Sequence, residues 1–387
     1  MAGANTRKRR REQTEYFFDY SLLFIVLFLL GFGMVMLYST SSYQAAQDFG
    51  NSAYWLKKQI FAVSLGLVIM IVVANIPYHF WERFATLGYL VSVTLILLII
   101  PFGHEVKGAK RWIYIGPLSL QPAEVAKLGM ILFLASMICK MGRSIRSMKG
   151  FFLVLAAPVP IVLMVWKITN NLSSAIIIMG IGVLMLFVAS PDYKKFIIMG
   201  LLGAAGATLV VFLIVNASAA EGVGGFRGER ILAWLDPEAY ASGKGFQTLQ
   251  GLYAIGSGGI WGKGLGQSMQ KLGFLPEAQN DMIFSIICEE LGLFGAIAII
   301  LMFLLLIWRL MVIANNAPDL FGALLVVGVL GHIAIQVILN IGVVTNTIPN
   351  TGISLPFISY GGTSVLFLMT EIGLCLNVAK RIQLREM

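Results

Sequence analysis

The stretch SLLFIVLFLLGFGMVMLYST, residues 21–40, decides the fold class of this chain, because it contains no charged residue and is apolar almost throughout. A helix of about 20 such residues crosses the hydrocarbon core of a bilayer. Nine further apolar runs follow it. The predicted spans are residues 17–40, 54–75, 80–101, 122–140, 150–167, 172–190, 196–216, 282–310, 319–345 and 362–379. The sequence therefore predicts an all-α polytopic membrane protein with about ten transmembrane helices.

The composition of the 387-residue chain agrees with this prediction. Hydrophobic residues make up 58% of the chain and charged residues only 12%, whereas soluble domains contain about 25% charged residues. A soluble globular enzyme is excluded. A disordered chain is excluded as well, because so much apolar surface is available for burial.

The distribution of Lys and Arg predicts the orientation. Sixteen of them fall in the two tails and in the even-numbered connections, and this side should be cytoplasmic. We therefore expect a basic cytoplasmic tail (1–16), a single ten-helix membrane domain (17–380) and a second cytoplasmic tail (381–387). The net charge of +9 reflects this topology, so we expect membrane lipids and no nucleic acid as partners.

Basic residues also occur on the predicted outer side, where the positive-inside rule does not expect them. The short connection 102–121 contains Lys107, Lys110 and Arg111. The large extracellular loop between helices 7 and 8, residues 217–281, contains Arg227, Arg230, Lys244, Lys263 and Lys271. An anionic ligand on the outer face would explain both groups. The alternative is that long loops are translocated whatever their charge.

Ionisable and polar residues inside the predicted spans form a second set of candidates, because burying them in a membrane is costly. They are the pair Glu124 and Lys127, the pair Glu289 and Glu290, the stripe His332, Gln336 and Asn340, and the single Glu371. Glu124 and Lys127 are three residues apart, so they share a helix face and can neutralise each other. The alternative for these groups is hydrogen bonding that only holds the helices together.

Asp281 is the strongest candidate catalytic residue. It lies in LPEAQNDMIFSIICEELG, where the large outer loop re-enters the membrane at the start of predicted helix 8. A carboxylate there can take a proton from a sugar hydroxyl or hold a divalent cation, beside basic groups that bind a diphosphate. The alternative is that Asp281 caps the helix N-terminus.

Other catalytic motifs are excluded. The segment GSGGIWGKGLG, residues 256–266, is not a Walker-type phosphate loop, because Ser257 replaces its first glycine and Gly264 replaces its Ser or Thr. The three histidines have no metal-binding spacing, so a zinc site is unsupported.

Three long motifs, in order along nearly the whole chain, resemble the SEDS family (shape, elongation, division and sporulation). They are GAKRWIYIGPLSLQPAEVAKL (108–128), IGSGGIWGKGLGQSMQKLGFLPEAQNDMIFSIICEELG (255–292) and PNTGISLPFISYGGTS (349–364). Ser354, where RodA-like members tend to have Pro, makes the chain slightly more FtsW-like than RodA-like. At the start of predicted helix 6 many members have an acid where this chain has Asn171, so the chain departs from the family pattern there and lacks that carboxylate.

The resemblance implies a peptidoglycan glycosyltransferase that polymerises lipid II on the outer face of the bacterial cytoplasmic (inner) membrane. It implies that Asp281 is the essential catalytic residue, which activates the acceptor sugar hydroxyl, with a divalent cation (Mg²⁺ or Mn²⁺) and no organic cofactor. It also matches Arg111 to a functional arginine, and Glu124 and Lys127 to a membrane salt bridge. The implied partner protein is a class B penicillin-binding protein, a transpeptidase.

The basic residues on the predicted outer side fit a glycosyltransferase whose substrates are linked to a lipid diphosphate. The growing glycan, linked to undecaprenyl diphosphate, would be the donor, and a basic site would stabilise the leaving diphosphate. The candidates for this role are Lys110, Arg111, Arg227, Arg230 and Lys263. Two alternatives stay open: a transporter (flippase) for the lipid-linked precursor, and a non-catalytic scaffold of a cell-wall synthesis complex.

Overall fold

The computed structural model describes residues 19–106, 109–115, 118–221, 226–243 and 245–382. Its helices are α1 (Tyr20–Phe49), α2 (Tyr54–Asn75), α3 (Tyr78–Glu82), α4 (Ala85–Phe102), α5 (Pro122–Met141), α6 (Met148–Ala156), α7 (Val159–Ile168), α8 (Leu172–Ala189), α9 (Tyr193–Glu221), α10 (Phe226–Leu235), α11 (Phe246–Gly258), α12 (Ile283–Asn315), α13 (Leu320–Val344) and α14 (Gly362–Ala379). A 3₁₀ turn, Gly142–Arg146, follows α5.

Within these described ranges, ten segments are long and apolar enough to cross a membrane, which confirms the predicted number of spans. They are α1, α2, α4, α5, the α6–α7 pair, α8, α9, α12, α13 and α14. The predicted single helix 150–167 is two helices, separated at Ala157 and Pro158. Proline has no N–H to donate and its ring clashes with the preceding turn, which explains the interruption.

The centre of the bundle is α13, which packs against α5, α8, α12 and α14. In its most apolar 18-residue window, 67% of the residues are buried, whereas the corresponding window of α9 buries none. The helix with the polar stripe is therefore surrounded by protein, and α9 lies at the periphery.

The connection between α4 and α5 forms a small antiparallel sheet that the sequence did not predict. Its strands are β1 (His104–Val106), β2 (Ala109–Ile115) and β3 (Leu118–Leu120), in the order β1-β2-β3. Successive side chains of a strand point to opposite faces, so Lys110 and Arg111 on β2 face in opposite directions.

The long connection after α9 is partly helical and folds back onto the bundle. It contains α10 and α11, and α11 packs along α12. The glycine-rich segment that follows α11, residues 259–264, inserts beside a break in α12.

This break in α12 is at Gly292, whose φ of 66° and ψ of −163° are not helical. Helical geometry would pair the carbonyls of residues 289 and 290 with the N–H groups of residues 293 and 294. Instead, Lys263 N–H donates to the Glu289 carbonyl and Gly264 N–H to the Glu290 carbonyl, both at 2.9 Å.

The freed N–H groups on the other side of the break are also satisfied. Leu293 N–H donates to the Gly259 carbonyl at 3.0 Å, and Phe294 N–H donates to the Ile260 carbonyl at 3.4 Å. A broken helix at membrane depth is tolerated only when its backbone groups find other partners. The glycine-rich segment 259–264 therefore replaces the missing turn of α12.

Candidate active site

Asp281 lies in the turn that leads into α12, and its side chain is mostly buried, with 8% of the residue exposed. Gln247 on α11 donates to Asp281 Oδ1 at 3.3 Å. The Gln247 amide oxygen in turn accepts from Asn350 Nδ2 at 3.1 Å. The carboxylate is therefore oriented by a glutamine that is itself held by the segment after α13.

The backbone of Asp281 is anchored independently of its side chain. Asn340 Nδ2, on α13, donates to the Asp281 carbonyl at 2.8 Å and to the Ile353 carbonyl at 2.6 Å. Asn340 is fully buried. One buried amide therefore fixes the distance between the turn that carries Asp281 and the non-helical segment that follows α13.

Two further bonds connect the same two segments. Ser359 Oγ donates to the Asn280 carbonyl at 2.6 Å, and Tyr360 N–H donates to the Gln279 carbonyl at 3.0 Å. The motif PNTGISLPFISYGGTS (349–364) thus packs against residues 279–281 and is hydrogen-bonded to two of them.

The position of Asp281 differs from that of a helix cap. Helix α12 begins at Ile283, and its N-cap residue is Met282, which makes no side-chain cap bond. Asp281 therefore precedes the cap position, and the capping alternative loses its geometric basis.

Arg111 on β2 lies at the same end of the bundle as Asp281. Its Nε donates to the Thr169 carbonyl at 3.3 Å and its terminal nitrogen to the Asn170 carbonyl at 2.9 Å, both between α7 and α8. Burial, and secondly the nearby guanidinium of Arg230, lower the pKa of Arg111. A guanidinium has five N–H donors, so Arg111 keeps donors for an anion.

Bonds between neighbouring loops connect Arg111 to the surroundings of Asp281. Ser173, in the first turn of α8, donates a short hydrogen bond to the Thr351 carbonyl. Thr351 directly follows Asn350, which holds Gln247 against Asp281. Asn171, where many SEDS members have an acid, caps α8 by accepting from Ser174 N–H at 3.0 Å.

The other basic candidates are placed differently. Arg230 lies on α10, close enough to Arg111 to affect its pKa, and Lys110 is exposed on β2. The side chain of Arg227 lies outside the described residues, as do Lys107 and Lys244.

Lys263 is held by an acid inside the bundle. Its Nζ forms an ion pair at 2.7 Å with Glu289, which is fully buried. Glu289 also accepts from the Met269 N–H at 3.1 Å and from the Ser268 hydroxyl. Glu289 of α12 thus binds three residues of the glycine-rich connection. The assignment of Lys263 to the diphosphate stays a prediction.

A second ion pair fastens the same connection to α1. Lys271 Nζ lies 2.8 Å from Glu290 Oε1, and both side chains are buried. Ser39 on α1 donates to Glu290 at 2.7 Å and accepts from Lys271 at 3.0 Å. Sequence analysis named both glutamates and both lysines but did not predict that they pair, because the lysines are 19 and 26 residues away from their partners.

The predicted pair Glu124 and Lys127 forms at 2.8 Å in the first turns of α5, and both residues are buried. Lys127 also donates to Gln336 Oε1 at 3.5 Å. Gln336 Nε2 donates to the Ser354 carbonyl at 3.0 Å. Gln336 of α13 therefore connects the salt bridge to the segment 349–364, which contacts the Asp281 turn.

The polar stripe of α13 continues inward to α14. His332 Nε2 lies 2.9 Å from Gln336 Oε1, and His332 Nδ1 lies 2.7 Å from Glu371 Oε2. The donation by Gln336 to Ser354 fixes which end of its amide faces the imidazole, so Nε2 must carry a proton. The second ring nitrogen is left to the contact with Glu371, so the imidazole joins α13 to α14.

A divalent cation would find few protein ligands here. Among the described residues, no group of three or more His, Cys, Asp and Glu side chains is arranged to hold a metal ion. Mg²⁺ is often bound by only one or two carboxylates together with substrate phosphates. The Asp281 carboxylate fits that mode.

The fold and this site define a polytopic helical membrane protein with a buried carboxylate and two arginines at one end of its bundle. The chain belongs to the FtsW/RodA/SpoVE family, whose model, described as "Cell cycle protein", matches residues 20–384. This confirms the resemblance to the SEDS family.

Two named relatives are similar in sequence to this chain over almost its full length. Stage V sporulation protein E of Bacillus subtilis (strain 168) is 38% identical over 94% of this chain and 97% of its own length. The probable peptidoglycan glycosyltransferase FtsW of Trichlorobacter lovleyi is 39% identical over 95% and 94%.

Solved structures share the fold. A chain from a peptidoglycan synthase complex, studied for its coordination of polymerization and crosslinking, aligns with a TM-score of 0.76 and 28% identity over 95% of this chain and 99% of that chain. The rod shape determining protein RodA of Thermus thermophilus aligns with a TM-score of 0.68 and 25% identity over 95% and 98%.

Proposed function

We propose that this chain is a peptidoglycan glycosyltransferase that polymerises lipid II into glycan strands. One observation carries the proposal: the Asp281 carboxylate is oriented by Gln247 and anchored through its backbone by Asn340. An acid held so firmly at the end of an apolar bundle suits proton transfer at a lipid-linked substrate. The names of the relatives support the same activity.

In the proposed reaction, Asp281 takes the proton of the acceptor sugar hydroxyl on lipid II. The hydroxyl oxygen forms the new bond to the anomeric carbon of the growing strand, and the bond from that carbon to undecaprenyl diphosphate breaks. A direct displacement inverts the sugar carbon and needs only one base and a stabilised leaving group. A second carboxylate of the glycosidase type is not required.

The leaving diphosphate would be bound by the basic outer surface. The positive charge of Arg230 acts on Arg111 there, as the second cause of its lowered pKa after burial, so an anion bound near both would relieve the repulsion of the two guanidinium groups. Lys110 lies on the other face of the same strand, so its exposed ammonium would add to the positive charge of the surroundings rather than to the arginine pair itself. A Mg²⁺ or Mn²⁺ ion held by Asp281 would supply additional positive charge for the diphosphate.

We further propose the cellular setting. The charge distribution supports a topology with both termini in the cytoplasm and the Asp281 site on the outer face of the bacterial inner membrane. The partner would be a class B penicillin-binding protein that crosslinks the new strand. The similarity to a chain of a synthase complex that couples polymerization and crosslinking supports such a partner.

The decisive experiment measures lipid II polymerisation by the purified full-length protein, with a candidate class B partner and a divalent salt. Moenomycin is added to silence contaminating classical synthases. Wild type is compared with Asp281→Asn and with Asp48→Asn, which removes an exposed acid near the end of α1. We expect long strands from wild type and Asp48→Asn, and none from Asp281→Asn.

The other outcomes separate the alternatives. Strands from all three proteins would support the polymerase activity but show that Asp281 is not the catalytic residue. Strands from none of them, with the complex shown to be intact, would favour the transporter or the scaffold. A transporter would depend on the buried pair His332 and Glu371 rather than on Asp281.

A further inference from the structure

A groove of about 380 Å³ lies between α1, α2 and α14, at the end of the bundle where the described chain begins and ends. Its apolar walls include Leu23 and Leu27 of α1, Leu67 and Met70 of α2, and Leu376 of α14. Its polar lining residues are Asn75 and Lys380. The groove is on the opposite end of the bundle from the Asp281 site.

The polar residues are together at one end of the groove. Asn75 is the last residue of α2, and Lys380 directly follows α14. Lys380 Nζ donates to Asn75 Oδ1 at 3.1 Å. Across the described part of the chain, no carboxylate lies within ion-pair distance of Lys380. Its ammonium has three donors, so two remain beside a neutral amide, at the mouth of an apolar groove.

The length of the groove matches one leaflet of a membrane. From Leu67 to Asn75, α2 rises by roughly 12 Å. One leaflet contributes about 15 Å to the hydrocarbon core of a bilayer. An apolar chain lying along α2 would therefore remain within the leaflet, while its polar head would be level with Lys380.

We propose that this groove binds one anionic phospholipid from the cytoplasmic leaflet. One acyl chain lies between α1 and α2, and the phosphate receives hydrogen bonds from Lys380. The walls are apolar and belong to three helices long and apolar enough to cross a membrane, so an acyl chain is the occupant that suits them. The Lys380 ammonium at the mouth has no carboxylate partner among the described residues, so it selects a head group with net negative charge. This site is independent of the proposed glycosyltransferase activity.

The test uses the full-length protein and native mass spectrometry, with phosphatidylglycerol and phosphatidylcholine of the same acyl chains as probes. We expect wild type to retain one phosphatidylglycerol in preference to phosphatidylcholine. Lys380→Gln should reduce that preference about fivefold, and Lys380→Arg should preserve it. The matched control is Lys140→Gln, which removes one exposed charge at the same side of the membrane, at the end of α5.

A second variant tests the apolar part of the site. Leu27 is 42% exposed, so Leu27→Trp can be accommodated and should fill the groove, reducing the retention of both lipids. Thermal unfolding in detergent establishes that each variant is folded. The proposal is overturned if Lys380→Gln keeps the preference, if Lys140→Gln loses it equally, or if Leu27→Trp retains lipid as wild type does.

Discussion

Asn340 and Asp281 are 59 residues apart in sequence, yet the buried amide of Asn340 holds the main-chain carbonyl of Asp281 at 2.8 Å. The same nitrogen holds the Ile353 carbonyl at 2.6 Å. The contact uses the backbone of Asp281 and does not involve its carboxylate. Asn340 is therefore a positioning residue for the proposed base.

Replacing Asn340 with Leu should impair polymerisation. Two buried carbonyls would lose their donor, which costs about 1–3 kcal/mol for each unsatisfied group, and the turn carrying Asp281 would shift. We expect a loss in kcat larger than the change in KM, together with a lower unfolding temperature. Asn316→Leu is the control, because Asn316, directly after α12, is exposed and its Nδ2 donates to the Val312 carbonyl in the last turn of that helix. Equal kcat in both variants would remove the positioning role.

Sequence patterns predicted the parts of the fold that depend on local composition. The ten spans follow from apolar length alone, and the pair Glu124 and Lys127 follows from helix periodicity. The stripe on α13 was predicted to share one face, and its three residues contact one connected set of partners. These features can be predicted without knowing which distant segments pack against each helix.

Contacts between distant segments were not predictable in the same way. The break at Gly292 is invisible to hydropathy, because glycine is common in membrane helices and the replacement bonds come from residues 259–264. The pairing of Lys263 with Glu289 likewise depends on how the loop returns to α12. The glycines of GSGGIWGKGLG suggested a phosphate loop only superficially, and their structural use is close backbone approach to α12.

The two lysines of the glycine-rich connection should differ in their contribution to stability. Lys271 is buried against Glu290, whereas the Lys263 side chain is 34% exposed. Lys271→Met leaves a buried carboxylate without its cation and should cost about 3–5 kcal/mol. Lys263→Met should cost only about 1–3 kcal/mol, because Glu289 keeps its bonds to residues 268 and 269. Chemical unfolding measures both costs, and the reverse order would contradict the structure.

The Lys263 variant also tests the predicted contact with diphosphate. If Lys263 only fastens the loop, the KM for lipid II should change little once unfolding is excluded. A rise in KM without loss of stability would instead assign Lys263 to the substrate. Hydrogen exchange over residues 258–271 provides the structural readout.

Burial should decide the strength of two ion pairs that share one geometry. Glu124–Lys127 and Asp192–Lys195 are both three residues apart with an N–O distance of 2.8 Å. The first is buried, and the Asp192 side chain is 48% exposed. Lys127→Met should therefore cost about 3–5 kcal/mol, and Lys195→Met less than about 1 kcal/mol.

A double variant of the buried pair isolates the cause. Glu124→Gln combined with Lys127→Met removes both charges, so no uncompensated carboxylate remains. We expect the double variant to be more stable than Lys127→Met alone. Additive losses, measured by chemical unfolding in the same detergent, would show that packing of the lysine stem accounts for the effect.

Two glycines of the segment 256–266 allow the effect of backbone conformation to be measured separately from the effect of close contact with α12. Gly262 and Gly266 have φ values of +78° and +81°, so alanine is strained at both, by about 1–2 kcal/mol. A Cβ on Gly262 would lie 2.3 Å from the Glu290 carbonyl oxygen, whereas a Cβ on Gly266 would meet nothing within 4 Å. Gly266→Ala should therefore cost only the conformational strain. Gly262→Ala should cost about 1–3 kcal/mol more and should raise hydrogen exchange at Leu293 and Phe294, whose N–H groups depend on the inserted segment. Equal unfolding free energies for the two variants would mean that the segment does not replace the missing turn of α12.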